Sequence, residues 1–330
     1  MICGDPVLVC ETSTGRIYRN WSLASFILRS NSVAVFDCGK CLSCRKKRAS
    51  ELAMRCVLTA SLYKDNMFLT NTYDEKKSGY HNRLCYTDIQ KFKKVMRSHV
   101  SRRYDKKIEI FNVHEYGKNG KKHWHCLVFN FEYPDKELYT TKNGHRLYYS
   151  KTLEKHWPHG FSTIGDLSEA SAMYQAQYMQ KDIKNGHELN EEKKSKSHHS
   201  GLGKHWFLKN YKQIFNLGYI PFNGTKRPIP RYFEKLGHKH WCHYNDKSVF
   251  LHHENGRRLY SPFKENEADP ALAELYSQYI EKKKSYIKEK EVNWQITVEN
   301  HMSSGEEPDF WKSLKNQKYD LKNKNQQEKF

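Results

Sequence analysis

The sequence has no run near the ~18 consecutive apolar residues that a transmembrane helix requires. Its first residues, Met1 to Glu11, have neither a basic start nor a long apolar core, so a signal peptide is not expected. Membrane and secreted readings are therefore disfavoured. Acidic residues are scarce beside basic ones, 37 Asp+Glu against 57 Lys+Arg, a formal net charge of +20. Apolar residues make up 37% of the chain, which is low, but aromatics reach 14%, with 22 tyrosines. A disordered chain is poor in aromatics, so this one is expected to fold with a very polar surface. Its 330 residues allow one large domain or two ordinary ones, at about 150 residues per domain. No internal repeat is present. A basic, aromatic-rich chain most often meets a polyanion, and nucleic acid is the first candidate.

A disulfide framework is also missing. Nine cysteines, an odd number, and no secretory signal point to a reducing compartment. Cys38, Cys41 and Cys44 form two overlapping C-x-x-C steps, which lets their thiolates converge on one tetrahedral Zn²⁺. Cys3 or Cys10 can supply a fourth ligand. The second C-x-x-C pair of many zinc sites is absent, and reduced thiols at a helix start are the competing reading.

Along the chain, 42–63 reads as a basic helix with Leu52, Met54, Val57 and Leu58 on its apolar side. Residues 67–73 read as extended, and Thr87-Asp88 opens a helical pattern through Val100. Residues 108–116 and 123–131 read as strands joined by the turn signal Gly117-Lys118-Asn119-Gly120, a β-hairpin. The second half of 144–157 reads as helical, 161–164 as extended, and Ser168 starts a helix to about Lys184. Residues 190–200 read as an exposed loop, 202–222 as an apolar-aromatic stretch, and 224–231 as extended. A charged amphipathic helix over 268–292 precedes a polar tail over 312–330. Helices and strands are intermixed, with at least one antiparallel pair, so the fold class is α+β.

Two groups of residues carry chemistry. His123 and His125 flank Trp124 on the second hairpin strand, so both imidazoles share one face and Trp124 takes the other. About 7 Å separates them along the backbone at ~3.4 Å per residue. A three-residue loop over 118–120 pairs Glu115 with His123; a two-residue Asn119-Gly120 loop pairs His114 with His125. Either partner completes a three-ligand set for Mg²⁺ or Mn²⁺ acting on phosphate. The second group is Tyr174, Tyr178 and Lys181, spaced to stack along one helix face. An aromatic stripe in the core is the bland reading of that spacing. The chemical reading is a pair of phenol nucleophiles, whose usual pKa near 10 calls for a metal or cation nearby.

Together these groups resemble the HUH endonucleases, specifically the rolling-circle replication initiators of the microvirus (gokushovirus) group. The resemblance runs in family order through Cys38 to Arg45, Phe68-Leu-Thr-Asn-Thr-Tyr-Asp74, Glu115-Tyr-Gly117, Lys122-His-Trp-His-Cys-Leu-Val128 and Ala172-Met-Tyr-Gln-Ala-Gln-Tyr-Met-Gln-Lys181. It continues through Ser200-Gly-Leu-Gly203 and Lys226 to Phe233, covering roughly residues 1–240. One departure is Trp124, where the family commonly has Tyr.

The resemblance implies a central antiparallel sheet of HUH type with helices on its faces. It implies a Cys-rich basic segment over 1–62, a nicking and ligating domain over 63–240, and a C-terminal extension over 241–330. It further implies Tyr174 and Tyr178 as nucleophiles, His123, His125 and Glu115 as ligands of the divalent ion (His114 being the alternative third ligand), and Lys181 as a charge stabiliser. The substrate would be single-stranded or locally melted origin DNA in the host bacterial cytoplasm, with host replication machinery as partner. Two other readings compete: a non-catalytic DNA-binding or packaging protein, and a metal-dependent nuclease that uses water.

Overall fold

The computed structural model describes residues 7–12, 15–18, 32–39, 41–74, 76, 85–116, 122–181, 195–196, 201–245, 253–254, 257–258 and 268–285. The chain enters through three strands, β1 (Val7–Thr12), β2 (Gly15–Tyr18) and β3 (Ser32–Phe36), and the helix α1 (Leu42–Ala60). Next come β4 (Asn66–Thr72), α2 (Tyr86–Tyr104), β5 (Glu109–Tyr116), β6 (Lys122–Phe129), β7 (Lys136–Lys142) and β8 (His145–Ser150). They are followed by α3 (Lys151–His156), β9 (Ser162–Asp166), α4 (Glu169–Lys181), the short β10 (Ser195–Lys196) and α5 (Lys204–Leu217). The described part closes with β11 (Ile220–Phe222), β12 (Thr225–Arg227), α6 (Arg231–Asn245) and a helix, α7, over 270–285. The chain divides into two compact units, residues 48–209 and residues 1–47 with 210–330. The class is α+β.

The first unit is organised by a seven-stranded sheet in the order β10-β5-β6-β4-β9-β8-β7. Every neighbouring pair is antiparallel. The central strand β4 alternates strictly, with Met67, Leu69 and Asn71 buried and the residues between them half-buried. Period-two alternation sends these two sets to opposite faces, so each face needs its own cover. One face, carrying Met67, Leu69, Ile110, Trp124 and Val128, packs on Ile89, Phe92, Met96 and Val100 of α2 and on Trp157. The other, carrying Phe111, Val113, Leu127 and Phe129, packs on Ala49, Leu52, Ala53 and Cys56 of α1 and on Ala172 and Ala176 of α4. Each large apolar side chain buried this way contributes roughly 1.5–3 kcal/mol.

Trp124 is fully buried, on the face opposite its neighbouring histidines, and its indole N–H donates to the Tyr73 hydroxyl at 3.2 Å. Beyond β4 the chain is pinned by the 159–161 segment. Thr72 N–H donates to the Phe161 carbonyl and Asp74 N–H to that of His159, each at 2.9 Å. Gly160 permits this close approach, since a Cβ there would sit 2.2 Å from the Thr72 carbonyl oxygen.

A buried histidine gives this unit an acid limit. His156 shares a 2.8 Å hydrogen bond with the Tyr133 hydroxyl and lies edge-on to His99, ring centres 4.8 Å apart. Burial, then repulsion from His99, lowers its pKa to about 4. The folded state thus binds fewer protons than the unfolded chain below pH ~6.5. Stability from this group is complete above that pH and is lost as pH falls toward 4. We expect a loss on the order of 2–3 kcal/mol across that window, read by urea unfolding at stepped pH. His156→Gln should flatten the slope.

In the second unit β2-β1-β3 form a three-stranded antiparallel sheet. The amphipathic helix expected over 268–292 is observed over 270–285; the residues beyond, including the 312–330 tail, lie outside the described part. Its Leu272, Tyr276 and Tyr279 are buried, with Tyr276 and Tyr279 against Phe215 of α5. The Asp269 N–H at its start donates to His240 Nδ1 at 2.9 Å. No helix among the described residues is long and apolar enough to cross a membrane.

Candidate active site

The β5–β6 register decides which residues meet. Glu115 pairs with His123, Val113 with His125, and His114 with Trp124. This is the register of the longer-loop reading; the turn residues themselves lie outside the described part. Glu115, His123 and His125 therefore share one face. Their ligand atoms all lie within 4.8 Å of one another. Glu115 Oε2 is 2.9 Å from His125 Nε2 and 3.3 Å from His123 Nε2. His114 goes to the opposite face, edge-on to Trp124 at 5.6 Å between ring centres. The alternative third partner is thus turned away by the pleat.

β4 supplies the support on the other side of β6. Thr70 pairs with His125 and Thr72 with His123. Thr70 Oγ1 is 3.1 Å from His125 Nδ1, and the Phe68 ring stacks on the same imidazole at 5.2 Å. Burial lowers the pKa of His125, partly offset by its hydrogen bond to Glu115. The environment thus favours the neutral imidazole, the form that binds metals. When Nδ1–H donates to Thr70, the Nε2 lone pair faces the Glu115 carboxylate, two acceptors that a cation between them would join. Thr70→Val removes the hydroxyl that orients this ring. It should weaken Mn²⁺ binding by roughly 10-fold, read by calorimetric titration, with little change in melting temperature.

The helix α4 brings the tyrosine. Ala172, Gln175 and Ala176, at i, i+3 and i+4, form its fully buried face. The two alanines let the helix approach the sheet closely. Gln175 then donates from Nε2 to the Phe111 carbonyl at 2.8 Å and to the His125 carbonyl at 3.3 Å. This bond to the metal-facing strand fixes the helix in register with the histidines. Tyr174, next to Gln175, is 42% exposed and donates its hydroxyl to Glu115 Oε2 at 3.0 Å. Its ring meets His125 edge-on at 5.5 Å. Tyr178 follows one turn later, and Lys181 ends the helix; their side chains, like Cys3 and the side chain of Cys10, lie outside the described part.

Of the residues singled out from sequence, Glu115, His123, His125 and Tyr174 converge on one point. Cys38, Cys41 and Cys44 form a separate group. Thr70 and Gln175 do not stand out as individual residues in the sequence. Both fall inside the quoted motif segments, but only strand pairing and helix docking reveal what they touch.

The sequence profile of the replication-associated protein ORF2 family matches residues 66–183. That span begins with β4 and ends just after α4, so it contains the whole constellation. The replication-associated protein VP4 of Bdellovibrio phage phiMH2K is 33% identical over 265 residues, 75% of this chain and 82% of that protein. The chain belongs to the microvirus-type phage replication-associated proteins.

Two more replication-associated proteins are similar. ORF2 of Spiroplasma virus 4 is 29% identical over 262 residues, 73% of this chain and 82% of that protein. ORF4 of Chlamydia phage 1 is 32% identical over 210 residues, 60% of this chain and 52% of that protein. No solved structure matches the chain.

Proposed function

We propose that this replication-associated protein nicks and religates the replication origin of a small single-stranded DNA phage through a phosphotyrosine link. The observation that carries the reading is one shared oxygen. Glu115 Oε2 accepts the Tyr174 hydroxyl at 3.0 Å and lies 2.9 and 3.3 Å from the two histidine Nε2 atoms. A tyrosine packed only for stability has no need of that partner.

The donor set, two imidazoles and one carboxylate with one imidazole held neutral by burial, fits a divalent ion such as Mg²⁺ or Mn²⁺. His123, His125 and Glu115 would hold it. When bound, the ion supplies Lewis acidity that polarises the scissile phosphate. The chain's own residues do the rest. The Tyr174 oxygen attacks phosphorus, a Tyr–O–P bond forms to the 5′ phosphate, and the P–O3′ bond breaks. The phenol gives up its proton, and the departing 3′ oxygen gains one to become a free 3′-OH for polymerase. Glu115 orients the phenol as hydrogen-bond acceptor. Tyr178, one helical turn on, would cut the regenerated origin in the next round, and Lys181 would stabilise charge on the phosphate.

In this reading the nicking part spans 63–240, flanked by a basic segment over 1–62 and an extension over 241–330. The net charge of +20 holds the DNA strand, and the partners are single-stranded or melted origin DNA and host replication machinery in the infected bacterium. The test incubates the full chain with Mn²⁺ and a labelled origin single strand, followed by a denaturing gel. A covalent protein–DNA band that disappears in the Tyr174→Phe/Tyr178→Phe double variant is the expected result. Cleavage without an adduct, unaffected by that variant, would mean hydrolysis by water. Binding with neither would mean a non-catalytic DNA-binding protein.

A further inference from the structure

The Cys38–Cys44 segment lies in the unit that does not contain the histidine site. Its geometry is that of a prepared thiolate site. The Cys38 and Cys44 sulfurs are 4.0 Å apart, and all three Sγ atoms lie within 4.8 Å of one another. Tetrahedral zinc with Zn–S bonds near 2.3 Å requires sulfurs about 3.8 Å apart, whereas a disulfide needs about 2.05 Å.

The backbone is arranged around the sulfurs. The Cys41 N–H points at Cys38 Sγ (3.3 Å), and the Cys44 N–H at Cys41 Sγ (3.5 Å). Each C-x-x-C step is thus a turn closed on the preceding sulfur. The first turn needs a left-handed residue, and Gly39 supplies it with φ of 71°. Cys44 is buried in the first turn of α1, and Cys38 and Cys41 are half-buried. The N-terminal end of a helix also suits the residual negative charge of a zinc–thiolate group.

We propose that Cys38, Cys41 and Cys44 bind a structural Zn²⁺ that fastens the start of α1. Soft thiolates select zinc over the hard Mg²⁺ or Mn²⁺ expected at the imidazole–carboxylate site. The chain would therefore carry two metals of different chemistry. The helix start fixed by zinc carries the exposed Lys46, Lys47 and Arg48.

The test uses the full chain, purified without chelators and analysed by elemental mass spectrometry. Wild type should carry a single zinc per chain. Cys41→Ser should lower that content roughly tenfold or more, while His123→Ala should leave it unchanged. A second measurement needs no variant. Cobalt added to the wild-type chain after zinc removal should give an intense thiolate-to-metal band in the near ultraviolet. Absence of that band, zinc content at background after reconstitution, or equal zinc in wild type and Cys41→Ser would each overturn the proposal. None of these readouts depends on nicking, so the two proposals fail separately.

Discussion

Tyr174→Phe alone is expected to lower the rate of first adduct formation on the order of 10³-fold, close to the effect of losing any activated nucleophile. The reason is positional. The Tyr174 hydroxyl is hydrogen-bonded at 3.0 Å to the carboxylate that also contacts both histidines. Tyr178 starts about 6 Å further along the helix axis, four residues at 1.5 Å each. A phosphate seated at the histidines for Tyr174 is then out of line for Tyr178. Tyr178→Phe should spare the first cut and block transfer of the linked strand to a second origin copy. Single-turnover kinetics with one labelled strand, then a chase with a second, distinguish the two roles. Equal loss of the first adduct in both single variants would sink this assignment of order. Because the aromatic ring remains in Phe, the His125 edge contact is kept, and a large effect reports on the oxygen rather than on folding.

How much of this is readable in the sequence depends on the range of each interaction. Helices α1, α2 and α4 and strands β4, β5, β6 and β9 follow from local pattern, because hydrophobic period and turn residues are short-range signals. The strands β7 and β8 are not legible in that way. β7 is exposed almost throughout, and Arg146, Leu147, Tyr148 and Tyr149 of β8 show no clean alternation. Their pairing, not their composition, makes them strands. α6 is hidden as well: Pro228 and Pro230 and a run of histidines mask a helix whose apolar residues are Phe233, Leu236 and Cys242. At the site, His123 and His125 on one face follow from strand geometry alone. The choice between Glu115 and His114 does not, because it turns on a one-residue register set by a loop. Thr70 and Gln175 are harder still. Each acts across a contact between elements distant in the chain, 55 residues for Thr70 to His125 and 64 for Gln175 to Phe111.

Glu115→Gln should produce the second large effect. The change keeps the shape of the side chain and its ability to accept from Tyr174, but removes the charge. In the folded chain Glu115 is the one acidic member of its metal-ligand group, and its side chain is 10% exposed. A buried carboxylate between two imidazoles is stable only with a positive partner, so the charge matters chiefly when a cation is bound. Losing a ligand should exceed the 10–100-fold cost of losing an outer hydrogen-bond partner, and a fall in Mn²⁺ affinity of roughly 10²–10³-fold is expected. Adduct formation should fall with it and recover in part at high Mn²⁺, as expected for a binding defect. Tyr174→Phe, by contrast, should leave Mn²⁺ affinity nearly unchanged and should not respond to added metal. Isothermal titration with Mn²⁺ for both variants, beside adduct yield against metal concentration, separates holding the ion from attacking the phosphate. Wild-type Mn²⁺ affinity in Glu115→Gln would remove the carboxylate from the ligand set and leave the histidines to be explained as packing.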